Sequence, residues 1–326
     1  MKKDMEAVGI GALNIDRHYM VERILEDGES EVKEVFSSPG GSAANTIYGL
    51  ARLGIRTGFC GVVGDDKEGE LIIEHFRQAG VDTGQIRVQP GVSTGSVICL
   101  SDGLGHRSLY VMPGANSIPG AAFLNEPYIN NASLIHLSSF AGDEQLGFLI
   151  SLTQRMNPET RLSFAPGTLY AAKGLEALAP IIGRSHVLFL NGEEIIKLTG
   201  RDIESGAAIC LEMGCHIVVV TLGSGVMIDT GNGTCQRTIT ASCYIKSFEE
   251  THYIEPVGTI SPCLGATGAG DAFAAGFLYG MLKGKWLKEC GKLGTVVALC
   301  SISHPGAREG LPTSDELENK YRLTFP

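Results

Sequence analysis

Residues 265–280 read GATGAGDAFAAGFLYG and form the most informative stretch of the chain. A glycine-rich loop runs into a helix of small apolar residues, and a single carboxylate, Asp271, stands at the junction. Glycines let backbone N–H groups approach an anion closely, and a helix N-terminus adds roughly half a positive charge. A carboxylate does not help to bind a phosphate, but it can deprotonate a hydroxyl that attacks one. The stretch therefore predicts a phosphoryl-transfer site.

The same carboxylate also has a purely structural explanation, because Asp at a helix start is commonly an N-cap. Residues 272–282 are apolar nearly all round, which predicts a central, buried helix. An ionised carboxylate at the end of such a helix is costly unless it is functional or well hydrogen-bonded. We therefore favour a chemical role for Asp271.

Composition limits the partners of this chain of 326 residues. Lys plus Arg number 26 and Asp plus Glu 36, so the net charge is −10 and no basic tract suggests nucleic acid as a partner. No apolar run reaches the ~20 residues of a membrane helix, and the first residues lack the apolar core of a signal peptide. Nine scattered cysteines without a C-x-x-C pair fit reduced thiols. We expect a cytoplasmic protein without a membrane partner.

Short apolar runs typical of buried strands alternate with helical patterns along the chain. The strand-like runs are 6–13, 57–63, 134–137, 162–164, 187–190 and 217–221, and the early helical stretches are 42–53 and 67–79. This alternation predicts an α/β fold with a doubly wound, mainly parallel sheet flanked by helices. Residues 17–38 and 94–112 break the rhythm as extended segments. They predict a small antiparallel β-lid on a single domain spanning residues 1–326.

A second glycine loop follows the strand-like run 217–221. It reads TLGSG over residues 221–225, so that Thr221, Gly223 and Gly225 could wrap a nucleotide phosphate. An ordinary turn between strands has the same composition. The loop is therefore a weak indication by itself.

Asn191 and Glu194 open a helix directly after the strand-like run 187–190. Three residues apart on a helix, they share a face and could hold Mg²⁺ directly or through water. The alternative is a capping box in which Asn191 caps the helix and Glu194 reaches back. The pattern alone favours the cap.

Two further turns carry groups that suit a polyhydroxy ligand. GALNID, residues 11–16, follows the first strand, and PGGSAAN, residues 39–45, leads into a helix. Asp16 and Asn45 supply the acceptor and amide groups that bind vicinal hydroxyls, and the double glycine that ends at Gly41 allows a close backbone approach. Each turn also has a purely structural explanation.

In this order and spacing, the four segments resemble the ribokinase-like (PfkB) family of carbohydrate and nucleoside kinases over essentially the whole chain. The most specific part is TGAGD, residues 267–271, and residues 298–312 look like the adenine-pocket segment of the family. The nucleotide-binding positions that the resemblance implies are Asn191, Thr221, Gly223, Gly225, Thr267, Ala298 and His304.

The resemblance implies ATP-dependent phosphotransfer to a primary hydroxyl of a sugar or nucleoside. Asp271 would be the general base, and the amides of Gly268, Ala269 and Gly270 would form the anion hole. ATP and Mg²⁺ are the implied cofactors, with Mg²⁺ near Glu194 and Asn191, through water. The implied substrate-binding residues are Asn14, Asp16, Gly41, Asn45, Arg107 and Asn116.

Departures from the family pattern include Gly265, and two alternative functions remain open. Many members carry an acidic residue at a monovalent-cation site where this chain has Gly265, so K⁺ stimulation does not follow from the resemblance. One alternative is a non-catalytic nucleotide- or sugar-binding protein of the same fold. Another is a kinase of a sugar phosphate, for which Arg107 is a candidate cation. An exposed lid sheet would also offer a surface for a homodimer.

Overall fold

The structure is a computed structural model that describes residues 5–104, 106–120, 124–230, 237–258 and 267–325. The strands in these ranges are β1 (Met5–Ile10), β2 (Asn14–Val21), β3 (Val32–Gly40), β4 (Thr57–Gly64), β5 (Asp82–Gln89), β6 (Gly95–Asp102), β7 (Arg107–Met112), β8 (Ala132–Ser138), β9 (Arg161–Ala165), β10 (Val187–Asn191), β11 (Ile217–Thr230), β12 (Arg237–Ser247) and β13 (Thr251–Ile254). The helices are α1 (Ser42–Arg52), α2 (Lys67–Gln78), α3 (Glu126–Asn130), α4 (Asp143–Arg155), α5 (Gly167–Ala171), α6 (Gly174–Ile182), α7 (Gly192–Thr199), α8 (Ile203–Glu212), α9 (Ala269–Leu282), α10 (Leu287–Ile302) and α11 (Ser314–Thr324), with a 3₁₀ turn at Gly114–Ser117.

The large sheet has the strand order β13-β12-β11-β10-β9-β8-β1-β4-β5 within the described ranges. Neighbours from β11 to β5 run parallel, and β12 and β13 extend the sheet antiparallel. Parallel strands are covered by crossover helices on both faces, so central strands such as β4 are buried along their whole length. The predicted doubly wound, mainly parallel sheet flanked by helices is confirmed.

Two hydrophobic clusters lie on opposite faces of this sheet. One gathers apolar side chains of α4, α6, α7 and α8, and the other those of α1, α2 and α9. In the second cluster, α9 packs against both α1 and α10 and is buried nearly all round. This helix is the central one that the sequence predicts, and it brings its N-terminus to the carboxyl edge of the sheet.

The smaller sheet has the order β3-β2-β6-β7 and stands apart from the large one. The pairs β2–β3 and β6–β7 are antiparallel, which confirms the prediction of a small separate sheet from these two segments. The central pair, β2 and β6, runs parallel instead. The chain passes through α1, β4, α2 and β5 between them, so they are joined by a long crossover and not by a hairpin.

The sequence interpretation misses β5 and the antiparallel strands β12 and β13. β5 reads DTGQIRVQ and is only partly buried at the sheet edge, so it lacks the apolar run of a central strand. Prediction from apolar runs finds buried strands best, and edge strands escape it. These additions widen the sheet without changing its class.

The described cysteines are free and buried, namely Cys60, Cys99, Cys210, Cys215, Cys243, Cys290 and Cys300. Of the described helices, none is both long enough and apolar enough to cross a bilayer.

Helices α9 and α10 approach each other closely at Gly276. A Cβ added to Gly276 would stand 2.7 Å from the Leu293 carbonyl oxygen and 2.9 Å from Gly294 Cα. A Gly→Ala change inside a helix normally stabilises by about 0.5–1 kcal/mol. At Gly276 we expect Gly276→Ala to lower the free energy of unfolding by about 1–3 kcal/mol, because two of the three atoms nearest to the added Cβ belong to the backbone of α10. Urea unfolding followed by circular dichroism measures the change.

The matched control is Gly147→Ala in α4, where an added Cβ meets nothing within 4 Å. We expect it to be neutral or stabilising. Equal effects at the two positions would contradict the close approach of α9 and α10.

Candidate active site

The Asp271 side chain lies in the first turn of α9 and points at the beginning of α1. Its Oδ1 accepts a hydrogen bond from Ser42 Oγ at 2.7 Å, and its Oδ2 accepts one from Asn45 Nδ2 at 2.9 Å. Thr46 Oγ1 donates to the backbone carbonyl of Asp271 at 3.3 Å. Two packed helices therefore set the position of this carboxylate, which leaves it little freedom.

The backbone before Asp271 presents N–H groups and no competing side chain. Gly268, the N-cap of α9, has φ +80°, and a Cβ there would stand 2.5 Å from Ala307 Cβ, so only glycine fits. No described side chain caps this helix, and the N–H groups of its first turn, including those of Ala269 and Gly270, have no helical partner. An anion can bind there. Gly265, which bears on a monovalent-cation site, lies outside the described residues.

Burial raises the pKa of Asp271 to about 7. The hydrogen bonds from Asn45 and Ser42 and the positive charge of Arg308 oppose this shift, whereas the carboxylate of Asp16 adds to it. A carboxylate whose pKa lies near neutral pH is partly ionised and is a stronger base than an ordinary aspartate. The environment of Asp271 therefore suits proton abstraction.

Asp16 lies beside this carboxylate, in β2. Its side chain is buried, and burial raises its pKa to about 6, against the opposing charge of Arg308. A Cβ added to Gly40 would overlap the Asp16 carboxyl group, so the glycine pair at residues 40–41 makes room for it. Asp16, Gly41 and Asn45 thus meet near Asp271, and the group that the sequence predicts is brought together.

Other predicted substrate residues have protein partners or lie further out. Asn116 donates to Leu13 O at 3.0 Å and to Asn14 Oδ1 at 2.9 Å, and its Oδ1 accepts from Leu13 N at 2.8 Å. It therefore ties the 3₁₀ turn to the β1–β2 connection. Arg107 is exposed on β7.

The charge of Arg107 is felt at both sides of the site. Burial raises the pKa of Cys99, on β6, and of Glu194, on α7, and in both cases the positive charge of Arg107 opposes the shift. The charge of Arg107, at the start of β7, therefore acts both within the small sheet and on the first turn of α7.

A cleft of about 340 Å³ opens on the other side of the α9 N-terminus, between β11 and α10. Its walls are mostly apolar, and they include Ala269 and Gly270 of the first turn of α9. Of the predicted nucleotide residues, Thr221, Gly223 and Ala298 line it. Thr267, Gly225 and His304 are not among the described residues of its walls, and His304 contacts Ser303 Oγ at 3.0 Å. The cleft has the size and the apolar character of a site for a nucleotide base.

Asn191 and Glu194 form the capping box of α7. Asn191 Oδ1 accepts from the backbone N–H groups of Glu193 at 2.9 Å and Glu194 at 2.8 Å, and Glu194 Oε2 accepts from Asn191 N at 2.9 Å. The structural alternative for this pair is therefore present. Among the described residues, Glu194 Oε1 has one long contact, to Thr168 Oγ1 at 3.4 Å, which leaves room for a water molecule.

Sequence reasoning did not predict the roles of two residues of this site. Ser42 stands directly after the double glycine and donates to Asp271, and Arg308 contacts Asn45 from a segment assigned to the adenine pocket. A buried arginine leaves no local signal, because its partners lie more than two hundred residues away in the chain. The available signal was that Arg308 is the one Lys or Arg in residues 298–312.

Comparison with known proteins shows which family and fold this chain shares. An uncharacterized sugar kinase of Archaeoglobus fulgidus is 38% identical over 82% of this chain and 99% of its own. An ATP-dependent ribose-1-phosphate kinase of Halopiger xanaduensis is 29% identical over 95% of this chain and 96% of its own. The solved structure of a nucleoside kinase from Methanocaldococcus jannaschii shares the fold, with a TM-score of 0.80 at 22% identity over 98% of this chain and 99% of that one. A model of the pfkB family of carbohydrate kinases matches residues 5–314, and the chain belongs to this family.

Proposed function

We propose that the protein transfers the γ-phosphoryl group of ATP to a primary hydroxyl of a sugar or nucleoside, with Asp271 as the general base. The observation that carries this proposal is the position of Asp271 between the apolar cleft and the polar side chains of Asp16, Ser42 and Asn45, at the start of α9, where no described side chain caps the backbone amides. Membership of the kinase family supports the reaction class. Each part of the site then has a distinct task.

Asp271 takes the proton of the acceptor CH₂OH as its oxygen attacks the γ-phosphorus. The new O–P bond forms while the bond to the β,γ-bridging oxygen of ATP breaks, and ADP leaves with that electron pair. The amides of Gly268, Ala269 and Gly270 stabilise the charge on the phosphoryl oxygens in flight, since they point outward from the helix N-terminus. The hydrogen bonds from Ser42 and Asn45 fix the orientation of the Asp271 carboxylate.

Substrate hydroxyls bind in the pocket around Asp16. Its carboxylate accepts from vicinal hydroxyls, while the backbone at Gly41 allows close approach of the sugar ring. Asn14 and Asn116 shape the floor through their mutual hydrogen bond. Relatives named for ribose-1-phosphate and for nucleosides support our proposal of a sugar or nucleoside acceptor, free or phosphorylated.

Arg107, an exposed cation on the small sheet, favours a phosphorylated acceptor as the second candidate. Its charge reaches both Cys99 and Glu194, so it could neutralise a phosphate on the sugar. A panel of nucleosides, free pentoses and pentose phosphates, assayed by ADP release, decides between the two classes.

The residues at the start of α7 fit Mg²⁺ only through water. Asn191 Oδ1 already accepts two backbone hydrogen bonds, whereas Glu194 Oε1 can orient a hydrated ion. When bound, Mg²⁺ neutralises charge on the phosphates of ATP. Glu194, through water, is the residue that we propose would hold it.

The small sheet acts as a lid over the acceptor pocket in this proposal, within a single domain of residues 1–326. Alternate side chains of β7 are exposed on both of its faces: Leu109 and Val111 on one, Tyr110 and Met112 on the other. A closing lid covers one face and excludes water from the reaction. The other face remains for a second copy of the chain, and we therefore propose a homodimer.

We expect Asp271→Asn to lower kcat by about 10²–10⁴-fold, because the acceptor proton then has no base. The KM for ATP should stay nearly constant, since Asp271 does not line the cleft for the nucleotide base. ADP release with Mg·ATP measures both. Asp315→Asn is the matched control, an exposed carboxylate in the first turn of α11. A kcat near that of the wild type for Asp271→Asn would reject the proposal.

The pH dependence follows from the raised pKa of Asp271. The base works only as the carboxylate, so the single-turnover rate should rise with pH and level off above a pKa of about 7. Below that pKa the rate should fall about tenfold per pH unit. A rate that is flat between about pH 5 and 8 would contradict a base in this environment.

Light scattering tests the dimer. We expect about twice the chain mass of 34.6 kDa. One of Leu109→Glu and Tyr110→Glu should give a monomer, and the other should raise the KM for the acceptor, because the two side chains lie on opposite faces of β7. A monomer mass for the unmodified protein at micromolar concentration would reject the dimer.

A further inference from the structure

Arg308 is a buried cation at the back of the proposed active site. Its side chain is only 3% exposed, in the segment between α10 and α11. A guanidinium group carries five N–H donors and stays charged in proteins, so its burial is costly unless those donors are used. Its partners therefore indicate what it does.

Those partners come from three elements. Arg308 Nε donates to Asn45 Oδ1 at 2.8 Å, one Nη donates to Gly40 O at 3.1 Å, and the other Nη contacts His75 Nδ1 at 3.3 Å. The guanidinium carbon lies 5.2 Å from the centre of the Tyr48 ring and 5.1 Å from that of Phe76. These rings fix the plane of the guanidinium group, which in turn fixes the direction of its N–H groups.

The bond to Asn45 determines which way that amide faces. Because Arg308 can only donate, the atom of Asn45 that it contacts must be the oxygen, and the NH₂ group is then left to face Asp271 Oδ2 at 2.9 Å. A flipped amide would bring its oxygen against the carboxylate and its NH₂ group against the guanidinium. Both contacts would be repulsive, so Arg308 allows a single orientation.

We propose that Arg308 is a positioning residue for phosphoryl transfer, aiming the carboxylate of Asp271 through the amide of Asn45. This inference rests on the proposed role of Asp271 as the base. The same guanidinium holds the carbonyl of Gly40, at the end of β3, so that it joins the small sheet to the reacting end of α9. Its charge also favours the ionised forms of Asp16 and Asp271.

The test compares Arg308→Lys, Arg308→Met and Asn45→Ala. We expect each to lower kcat by about 10–100-fold with little change in the KM for ATP, since the nucleotide cleft is untouched. Arg308→Met should also move the acidic limb of the kcat profile to higher pH, because a positive charge that stabilises the carboxylate is lost. Arg308→Lys keeps the charge and should leave the limb in place.

A double-mutant cycle separates positioning from a merely structural role. If Arg308 acts through Asn45, the double variant Arg308→Lys, Asn45→Ala should be no more than about threefold slower than the worse single variant. Multiplying effects would overturn the proposal. Asn45→Ala retaining the wild-type kcat would also overturn it, whether or not the Arg308 variants fold.

The matched control is Arg184→Lys. Arg184 is a partly buried arginine that donates to the carbonyls of Asn157, Pro158 and Thr160, remote from Asp271 in the contacts described. We expect it to lower the melting temperature without changing kcat or its pH profile. If Asp271→Asn abolishes turnover while the Arg308 and Asn45 variants keep it, only this inference fails. If Asp271→Asn keeps turnover, the proposed function fails first.

Discussion

The burial of one carboxylate, that of Asp271, is the constraint on which the rest of the site depends. A charge in this position needs donors that are held in place, and α1 supplies them as Ser42 and Asn45. The two helices can supply this geometry because α9 packs directly on α1, within an apolar cluster on one face of the sheet. The packing of α9 on α1 in the core therefore also fixes the position of the Asp271 carboxylate at the edge of the sheet.

The raised pKa of Asp271 is the result of opposing effects. Burial and the neighbouring Asp16 favour the protonated form, while two hydrogen bonds and Arg308 favour the carboxylate. Were the donors absent, the group would be neutral and inert as a base; were it exposed, it would be a weak one. The proposed activity requires this balance, which explains why a cation is buried beside Asn45 and Asp271.

Much of this could be predicted from the sequence, because the relevant signals are local. The alternation of strands and helices, the apolar helix after residue 271 and the glycine turn before it each lie within a few consecutive residues. The link between Arg308 and Asn45 joins positions 263 residues apart, and no local pattern reports it. The pair Asn191 and Glu194 could not be interpreted from the sequence alone. A capping box and a water-mediated metal site require the same spacing of these two residues. Edge strand β5 was missed because none of its residues is fully buried, so its sequence lacks an apolar run.

The most direct test of the central claim is the titration of the Asp271 carboxyl group itself in the ligand-free protein. With ¹³C-labelled aspartate, the resonance that disappears in Asp271→Asn identifies the group, and its chemical shift is followed against pH. We expect a pKa of about 7, the result of burial opposed by Asn45, Ser42 and Arg308. A pKa near that of an exposed aspartate, about 4, would contradict the account.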